Sequence, residues 1–188
     1  MTEIIDFKDA DLRDISQRIK SGAVFAYPTD TVYGIGCNAT NREAILRIFE
    51  IKGRNNQKPM SVAFASADDV IRYVDVDKRE TEEIKERLPG PFTLIVKNKG
   101  IPKEAVCGLE TLGIRIPDYP LLLKLIKKSE CPVVTTSANI SGMPPASQFS
   151  EIPKEIIDSL DFVLVDDDVP SGKASRVINL VSGKILRD

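Results

Sequence analysis

The sequence predicts a single-domain α/β fold in which helices flank an open sheet of mixed parallel and antiparallel strands. Short apolar runs typical of buried strands are interspersed with segments of helical periodicity. The two kinds do not alternate regularly, as they would in an all-parallel sheet. No repeat, low-complexity tract or long linker divides the 188 residues, so residues 1–188 are predicted to form one domain.

The helices are indicated by capping residues that precede apolar residues at helical spacing. Asp9 or Asp11 is expected to cap a first helix that ends near Ile19. Thr40 and Glu43 form a capping-box pattern before a second helix, which ends near residue 53. Further helices are predicted over residues 67–73, 78–88 and 119–128.

The strands are indicated by apolar and β-branched runs bounded by turn residues. They are predicted over residues 23–27, 60–65, 92–97, 112–116, 132–136, 162–165, 176–180 and 184–186.

The charge and the cysteines narrow the class of protein. A formal net charge of −2 gives no global attraction to nucleic acid or membranes, so any anion site needs a local cluster of Lys and Arg. No stretch has the roughly 20 apolar residues of a membrane helix, and the first residues do not resemble a signal peptide. Three separate cysteines without a C-x-x-C pattern predict a reducing, cytoplasmic location.

The chain contains no histidine. This excludes Ser-His-Asp and Cys-His catalysis and the usual catalytic zinc sites. Chemistry must therefore use Lys, Arg, carboxylates, hydroxyls, backbone amides or a hard metal ion. The acidic run at residues 166–168 is interpreted as a solvated loop rather than a metal site.

Two loops rich in hydroxyl side chains follow predicted strands, where ligands collect in α/β folds. The first, PTDTVYGIG at residues 28–36, is explained equally well as a ligand loop or as a tight turn closed by its threonines. The second, TTSANISG at residues 135–142, suits phosphate or ribose oxygens. Neither loop contains a P-loop or a G-x-G-x-x-G turn.

Cationic side chains mark two further segments. Lys52, Arg54 and Lys58 follow the second predicted helix, where they either complement the helix dipole or clamp a polyphosphate. Arg115 alternates with apolar neighbours, so it points to the opposite face of its strand from them. It is therefore either exposed to solvent or placed to bind a carboxylate in a cleft.

In this order, the segments resemble the short form of the YrdC-like threonylcarbamoyl-AMP synthases. The resemblance extends over residues 23–187 and rests on PTDTVYG (28–34), Lys52-x-Arg54, PGPFT (89–93), LGIRIP (112–117) and SANISG (137–142). It implies a twisted sheet with a concave, positively lined cavity. It also implies a nucleotidyltransferase that uses L-threonine, bicarbonate and ATP with Mg²⁺. The products would be threonylcarbamoyl-AMP and pyrophosphate, for t6A37 modification of tRNA.

The resemblance also implies the site residues. ATP is expected to contact Lys52, Arg54, Lys58, Thr111, Ser137, Asn139, Pro145 and Arg187, with Lys52 and Arg54 as the catalytic pair. L-threonine is expected to contact Thr31, Arg115, Thr135 and Ser175. No residue is predicted to ligate a metal, so Mg²⁺ is expected to accompany ATP.

Two departures from the family pattern affect the threonine site. Arg176 stands where the family commonly has Thr, and Ala63 stands where some relatives have His. The base that deprotonates threonine's amine is not identified by any motif, and Asp30 is a candidate only through its place in the first loop.

Two other functions remain open from the residues alone. A cationic cavity also suits an RNA-binding module, although the negative net charge and the lack of Trp weigh against it. A carbamoyl-transfer domain of hydrogenase maturation would share the fold, but such domains usually sit in longer chains with Cys motifs.

As a synthase, the protein is expected to hand its product to the tRNA threonylcarbamoyl transferase machinery.

Overall fold

The computed structural model describes residues 2–53, 58–168 and 171–188. The described strands are β1 (Glu3–Asp6), β2 (Phe25–Tyr27), β3 (Gly34–Gly36), β4 (Ser61–Ala63), β5 (Val74–Asp75), β6 (Phe92–Asn98), β7 (Thr111–Arg115), β8 (Val133–Ser137), β9 (Phe162–Val165), β10 (Arg176–Asn179) and β11 (Lys184–Arg187). The described helices are α1 (Leu12–Lys20), α2 (Arg42–Ile51), α3 (Ala67–Ile71), α4 (Lys78–Arg87), α5 (Pro120–Ser129) and α6 (Lys154–Asp158).

One sheet runs through the described chain. Its strand order is β1-β9-β2-β3-β8-β4-β7-β6-β10-β11, with β5 paired to β6 off this path. The pairs β1·β9, β2·β9, β4·β7 and β6·β10 are parallel, and the remaining pairs are antiparallel. The predicted mixed sheet is therefore confirmed.

The two faces of the sheet pack into separate apolar clusters because side chains alternate along each strand. On β2, Phe25 and Tyr27 join a cluster with residues of α1 and α5, whereas Ala26 joins a cluster with residues of α2. The same alternation continues on β8, where Val133 packs with the first cluster and Val134 with the second.

The candidate site lies where one face of the sheet continues beyond its helical cover. Helices α1 and α5 cover one face of the sheet at β2, and Val133 of β8 packs on that face. Thr135 and Ser137 come two and four residues later on β8, so their side chains lie on the same face. Both side chains line a cavity instead of packing into the apolar cluster. The change from apolar to hydroxyl residues along this strand therefore marks the start of the site.

The cap of the second helix differs from the prediction. The side chain of Asn41 caps α2, with its Oδ1 accepting from the backbone N–H of Ala44 at 3.1 Å. The predicted Thr40 cap is wrong, because the hydroxyl of Thr40 donates to Asn38 Oδ1 at 2.8 Å. The first helix is capped by Asp11, one of the two residues predicted for that position.

Strand β3 was missed because its sequence, Gly-Ile-Gly, has poor strand propensity. It forms because β2 pairs with one of its edges and β8 with the other. A Cβ on Gly36 would lie only 2.4 Å from the carbonyl oxygen of Val134, so a larger residue would push these strands apart. Strands β1 and β5 and helix α6 were also not predicted. Each is short, and β1 consists largely of exposed residues at the sheet edge.

None of the helices in the described ranges combines the length and the apolar character needed to cross a membrane.

Candidate active site

A cavity of about 550 Å³ opens over β4, β6, β7, β8 and β10. Its lining includes every predicted site residue except Lys52 and Arg54: Thr31, Lys58, Thr111, Arg115, Thr135, Ser137, Asn139, Pro145, Ser175 and Arg187. These residues come from segments far apart in the chain, so the fold brings the predicted set into one place. Arg54 lies outside the described residues.

Arg115 lies at the end of β7 and is 7% exposed. Its Nη2 donates to Asp30 Oδ1 at 3.2 Å and to Thr31 Oγ1 at 3.1 Å. Its buried Nε has no hydrogen-bond partner among the described residues. A guanidinium carries five N–H donors in a planar fork. Asp30 and Thr31 use both protons of Nη2, so the Nε–H of Arg115 remains as a donor for an anion such as a carboxylate.

Asp30 and Arg115 form an ion pair at the wall of the cavity. Burial raises the pKa of Asp30, and the charge of Arg115 opposes that rise. Burial likewise lowers the pKa of Arg115, and Asp30 opposes that change. Asp30 is not among the residues that line the cavity. Its carboxylate thus holds the guanidinium in place instead of facing a ligand.

The loop between β2 and β3 is closed by its own threonines. The Thr29 hydroxyl donates to the carbonyl of Val32 at 2.7 Å and accepts from the backbone N–H of Thr31 at 3.2 Å. The loop is also tied to a later segment, because Gly172 N–H donates to Thr31 O at 2.8 Å. The turn interpretation is confirmed for Thr29. Thr31 lines the cavity beside Arg115, which is the position that the ligand-loop interpretation requires.

The loop after β8 is held by hydrogen bonds within it. Ser137 Oγ donates to Asn139 Oδ1 at 2.5 Å, and Asn139 Nδ2 donates to the carbonyl of Met143. The two side chains predicted to bind ATP are thus fixed relative to each other at the cavity wall.

Lys52 lies behind this loop at the C-terminal end of α2. It is 1% exposed and donates to the backbone carbonyls of Ser137 and Asn139, the second at 2.9 Å, and to Asn139 Oδ1 at 3.2 Å. It is not among the lining residues. In the structure described, its ammonium therefore supports the Ser137–Asn139 turn from beneath.

The C-terminal strand delivers Arg187 to the cavity through a β-bulge. Val177 pairs with Arg187 while the next residue, Ile178, pairs with Ile185, so Leu186 is the extra residue. A bulge of this kind re-aims the side chains beside it. Val177 lines the cavity, and the bulge places Arg187 on the same side.

The cavity is locally positive although the chain is not. Its described lining contains Lys58, Arg115 and Arg187 and no Asp or Glu. The positive charge of Arg187 contributes to the lowered pKa of Arg115, so the two cations act on each other. A site of this kind attracts anions, because a negative group bound between the cations offsets their mutual repulsion.

Comparison with known proteins identifies the family. The model for the Sua5, YciO and YrdC proteins, described as "Telomere recombination", matches residues 17–188. The chain belongs to this family. It is 35% identical over 164 residues to a Pyrococcus abyssi protein named threonylcarbamoyl-AMP synthase, a match covering 86% of this chain and 48% of that protein. A Vibrio campbellii protein of the same name is 29% identical over 177 residues, with 92% and 96% of the two chains covered.

A solved member of the Sua5/YciO/YrdC family has the same fold. The crystal structure of P. abyssi Sua5 in complex with L-threonine matches with a TM-score of 0.87 and 30% identity, covering 96% of this chain and 54% of that one. The chain thus spans about half the length of the P. abyssi protein and nearly all of the V. campbellii protein. Family membership favours the synthase interpretation over an RNA-binding module.

The two departures from the family pattern leave the cavity lining intact. Arg176 points away from the cavity and pairs with Asp188 at 2.7 Å, while its neighbours Ser175 and Val177 line it. Ala63 is buried in β4 between Arg115 on β7 and Val133 on β8 and does not line the cavity.

The acidic run at residues 166–168 matches the predicted solvated loop at Asp167 and Asp168, which are exposed in a turn, but not at Asp166. Asp166 is buried and accepts from the Tyr119 hydroxyl at 2.8 Å, while Asp167 accepts from the Tyr33 hydroxyl at 2.7 Å. No group of acids, cysteines or histidines within the described ranges could hold a metal ion. Asp166 and Asp167 therefore have a structural role, as hydrogen-bond acceptors for two tyrosines.

Some lining residues were not predicted. Thr93 and Ser61 line the cavity from β6 and β4, and Gly113 lies between them on β7. A Cβ on Gly113 would come within 2.8 Å of Ser61 Oγ and 3.2 Å of Thr93 Cγ2. The only sequence signal for Thr93 was its place in the PGPFT segment, and its partners lie too far along the chain to be inferred.

Proposed function

We propose that this protein is an L-threonylcarbamoyladenylate synthase, which forms threonylcarbamoyl-AMP and pyrophosphate from L-threonine, bicarbonate and ATP. The observation that carries the proposal is the buried Arg115, which has an unpartnered Nε beside Thr31 in a cavity without acidic lining among the described residues. The structure of P. abyssi Sua5 with L-threonine, which matches 96% of this chain, supports the proposal. The product would enter t6A37 modification of tRNA through a threonylcarbamoyl transferase.

The amino-acid subsite is assigned to the end of the cavity near Arg115. Its guanidinium would hold the carboxylate of L-threonine, supported from behind by Asp30. Thr31, Thr135 and Ser175 line the same cavity and supply hydroxyls for the remaining polar atoms.

The nucleotide subsite is assigned to the other lining residues of the predicted set. Lys58 and Arg187 supply positive charge for the phosphates, while Thr111, Ser137 and Asn139 supply uncharged donors beside Pro145. Arg54 is assigned here from the family resemblance. Lys52 is assigned the role of holding the Ser137–Asn139 turn, through the carbonyl bonds described above.

The chemistry requires positioning and neutralisation of charge more than a protein nucleophile. Threonine's amine would attack CO₂ or bicarbonate, and a carbamate oxygen would then displace pyrophosphate from the α-phosphorus of ATP. The cations at the wall would stabilise negative charge on both reactants. Asp30 is assigned to holding Arg115, because its carboxylate accepts from that guanidinium and does not line the cavity.

Mg²⁺ is proposed to enter as part of the nucleotide substrate. The described lining offers it no carboxylate, and no acidic cluster in the described ranges suits a metal. The ion prefers oxygen ligands and commonly binds substrate phosphates. It would therefore be held chiefly by the phosphate oxygens of ATP and would neutralise part of their charge.

The identity of the product tests the proposal. Purified protein is supplied with ATP, Mg²⁺, L-threonine and either ¹²C- or ¹³C-labelled bicarbonate, and the products are analysed by mass spectrometry. We expect an adenylate of threonylcarbamate whose mass rises by one unit with the labelled bicarbonate. An adenylate of unmodified threonine would contradict the proposed carboxylation step. So would a product whose mass is the same with labelled and unlabelled bicarbonate.

A further inference from the structure

Three adjacent strands bring two hydroxyls and a guanidinium together in the cavity. Thr93 Oγ1 on β6 lies 2.8 Å from Ser175 Oγ, which precedes β10. Arg187 on β11 donates from Nη2 to Ser175 Oγ at 3.1 Å and from Nε to the Ser175 carbonyl at 2.8 Å. Thr93 and Ser175 are each 5% exposed. Their hydroxyl protons are therefore directed by these neighbours and by a ligand, not by bulk water.

The hydrogen-bond capacity of Ser175 limits what can bind beside it. A serine hydroxyl has one proton and two lone pairs, and an arginine N–H can only donate. Arg187 therefore occupies one lone pair of Ser175 Oγ. If Thr93 donates to the other, Ser175 keeps its proton for a ligand. If Ser175 donates to Thr93 instead, it has no proton left for the cavity.

We propose that Thr93 is a positioning residue that directs the Ser175 proton onto an oxygen of the bound amino acid or its carbamate. The proposal deepens the function proposed above and rests on it. An acceptor atom placed beside Ser175 favours the arrangement in which Thr93 donates to Ser175, because only then does Ser175 have a proton for that atom. An ammonium group is disfavoured there, because both lone pairs of Ser175 are occupied and Arg187 carries a like charge.

The same contacts join the two substrate subsites. Ser175 is assigned to the amino acid and Arg187 to the nucleotide, and the guanidinium of Arg187 bonds directly to the Ser175 side chain. Thr93 pairs with Val177 in the register of β6 and β10, and Val177 pairs with Arg187 across the bulge. The hydroxyl of Thr93 therefore acts on L-threonine through Ser175, from the side opposite to the cation.

The test uses calorimetric titration of the full chain with L-threonine, together with steady-state kinetics. Thr93→Val keeps the shape but removes the hydroxyl, and we expect it to raise the Kd and KM for L-threonine about 3- to 10-fold. The KM for ATP should change less than about twofold, because no hydrogen bond joins Thr93 to Arg187 in the described part of the chain. Thr93→Ser restores the donor and should bind L-threonine like the wild type. The matched control is Thr81→Val. The Thr81 hydroxyl is exposed and donates to the carbonyl of Asp77, the cap residue of α4.

A double-mutant cycle separates a positioning role from a structural one. In the Ser175→Ala background, Thr93→Val should add no further loss of L-threonine affinity, because Thr93 acts through Ser175. An equal loss in both backgrounds would overturn the proposal, as would a Thr93→Ser variant that binds as poorly as Thr93→Val. If the valine variant fails to fold, Thr93→Ala takes its place in the cycle. A wild-type protein that binds no L-threonine would overturn the proposed function as well, whereas the other two outcomes overturn only the role of Thr93.

Discussion

Replacing Arg115 by Lys is expected to raise the KM for L-threonine about 10- to 100-fold while changing the KM for ATP much less. The guanidinium is buried and is bonded to Asp30 and Thr31 through one nitrogen, and its Nε has no hydrogen-bond partner among the described residues. A lysine ammonium keeps the charge and so the ion pair with Asp30. It cannot present two parallel N–H groups to a carboxylate. The effect therefore separates the fixed geometry of the guanidinium donors from their charge.

The control for this variant is Arg72→Lys, on a side chain that is 74% exposed and outside the cavity lining. It should leave both KM values unchanged. The free energy of unfolding of the Arg115→Lys protein should be measured as well, because a buried ion pair is altered. An unchanged KM for L-threonine in a folded Arg115→Lys protein would remove Arg115 from the amino-acid subsite.

Replacing Lys52 by Met is expected to lower synthesis by about 10²–10³-fold, the size of effect seen when one electrostatic donor is lost. The structure adds a second consequence. The Lys52 ammonium donates to two backbone carbonyls of the Ser137–Asn139 turn, and methionine would leave them without that donor. A buried carbonyl left unpaired costs about 1–3 kcal/mol of stability. This cost applies to the Asn139 carbonyl, because the Ser137 carbonyl still accepts from the backbone N–H of Asn139 at 2.9 Å. We therefore expect the variant to be both less active and less stable.

Urea denaturation measures the stability, and synthesis assayed on the folded fraction measures the activity. Lys128→Met, at an exposed position on α5, is the control and should change neither quantity. A Lys52→Met protein of wild-type stability would show that the carbonyl contacts contribute little to holding the turn. A stable protein with nearly full activity would contradict both the positioning role and the catalytic role inferred from the family.

The alternation of residues along a strand allowed part of the site to be predicted. Arg115 was predicted to point away from its apolar neighbours, and it does line the cavity while Ile114 packs into the core. The hydroxyl loops were also found, because small polar residues after a strand are visible in a short window. Local pattern did not decide between a turn and a ligand loop for residues 28–36, since both depend on the same threonines.

Features that depend on long-range register could not be predicted. Lys52 and Ser137 are 85 residues apart, and only the packing of α2 behind the β8 loop shows that the ammonium is buried there. The Thr93–Ser175 contact likewise spans 82 residues and requires the β6·β10 pairing. The bulge at Leu186 decides which way Arg187 points, and an alternating pattern alone contains no signal for an extra residue.

Net charge was a poor guide to the site. The chain has a formal charge of −2, yet the described lining of its cavity contains three cations, Lys58, Arg115 and Arg187. The same lining contains no carboxylate. Acidic side chains lie outside this lining, as the partner of Arg115 or in structural hydrogen-bond networks. Asp30 behind Arg115 and Asp166 under Tyr119 are examples. Binding of an anionic substrate is therefore set by local placement, not by the overall balance of charge.

The most direct test of the central claim is pyrophosphate release by the purified, folded protein in an omission series. The complete reaction contains ATP, Mg²⁺, bicarbonate and L-threonine, and each component is left out in turn. We expect steady release in the complete reaction and only background release when either L-threonine or bicarbonate is missing. Release that continues without L-threonine, or no release from a folded protein that binds ATP, would contradict the synthase assignment.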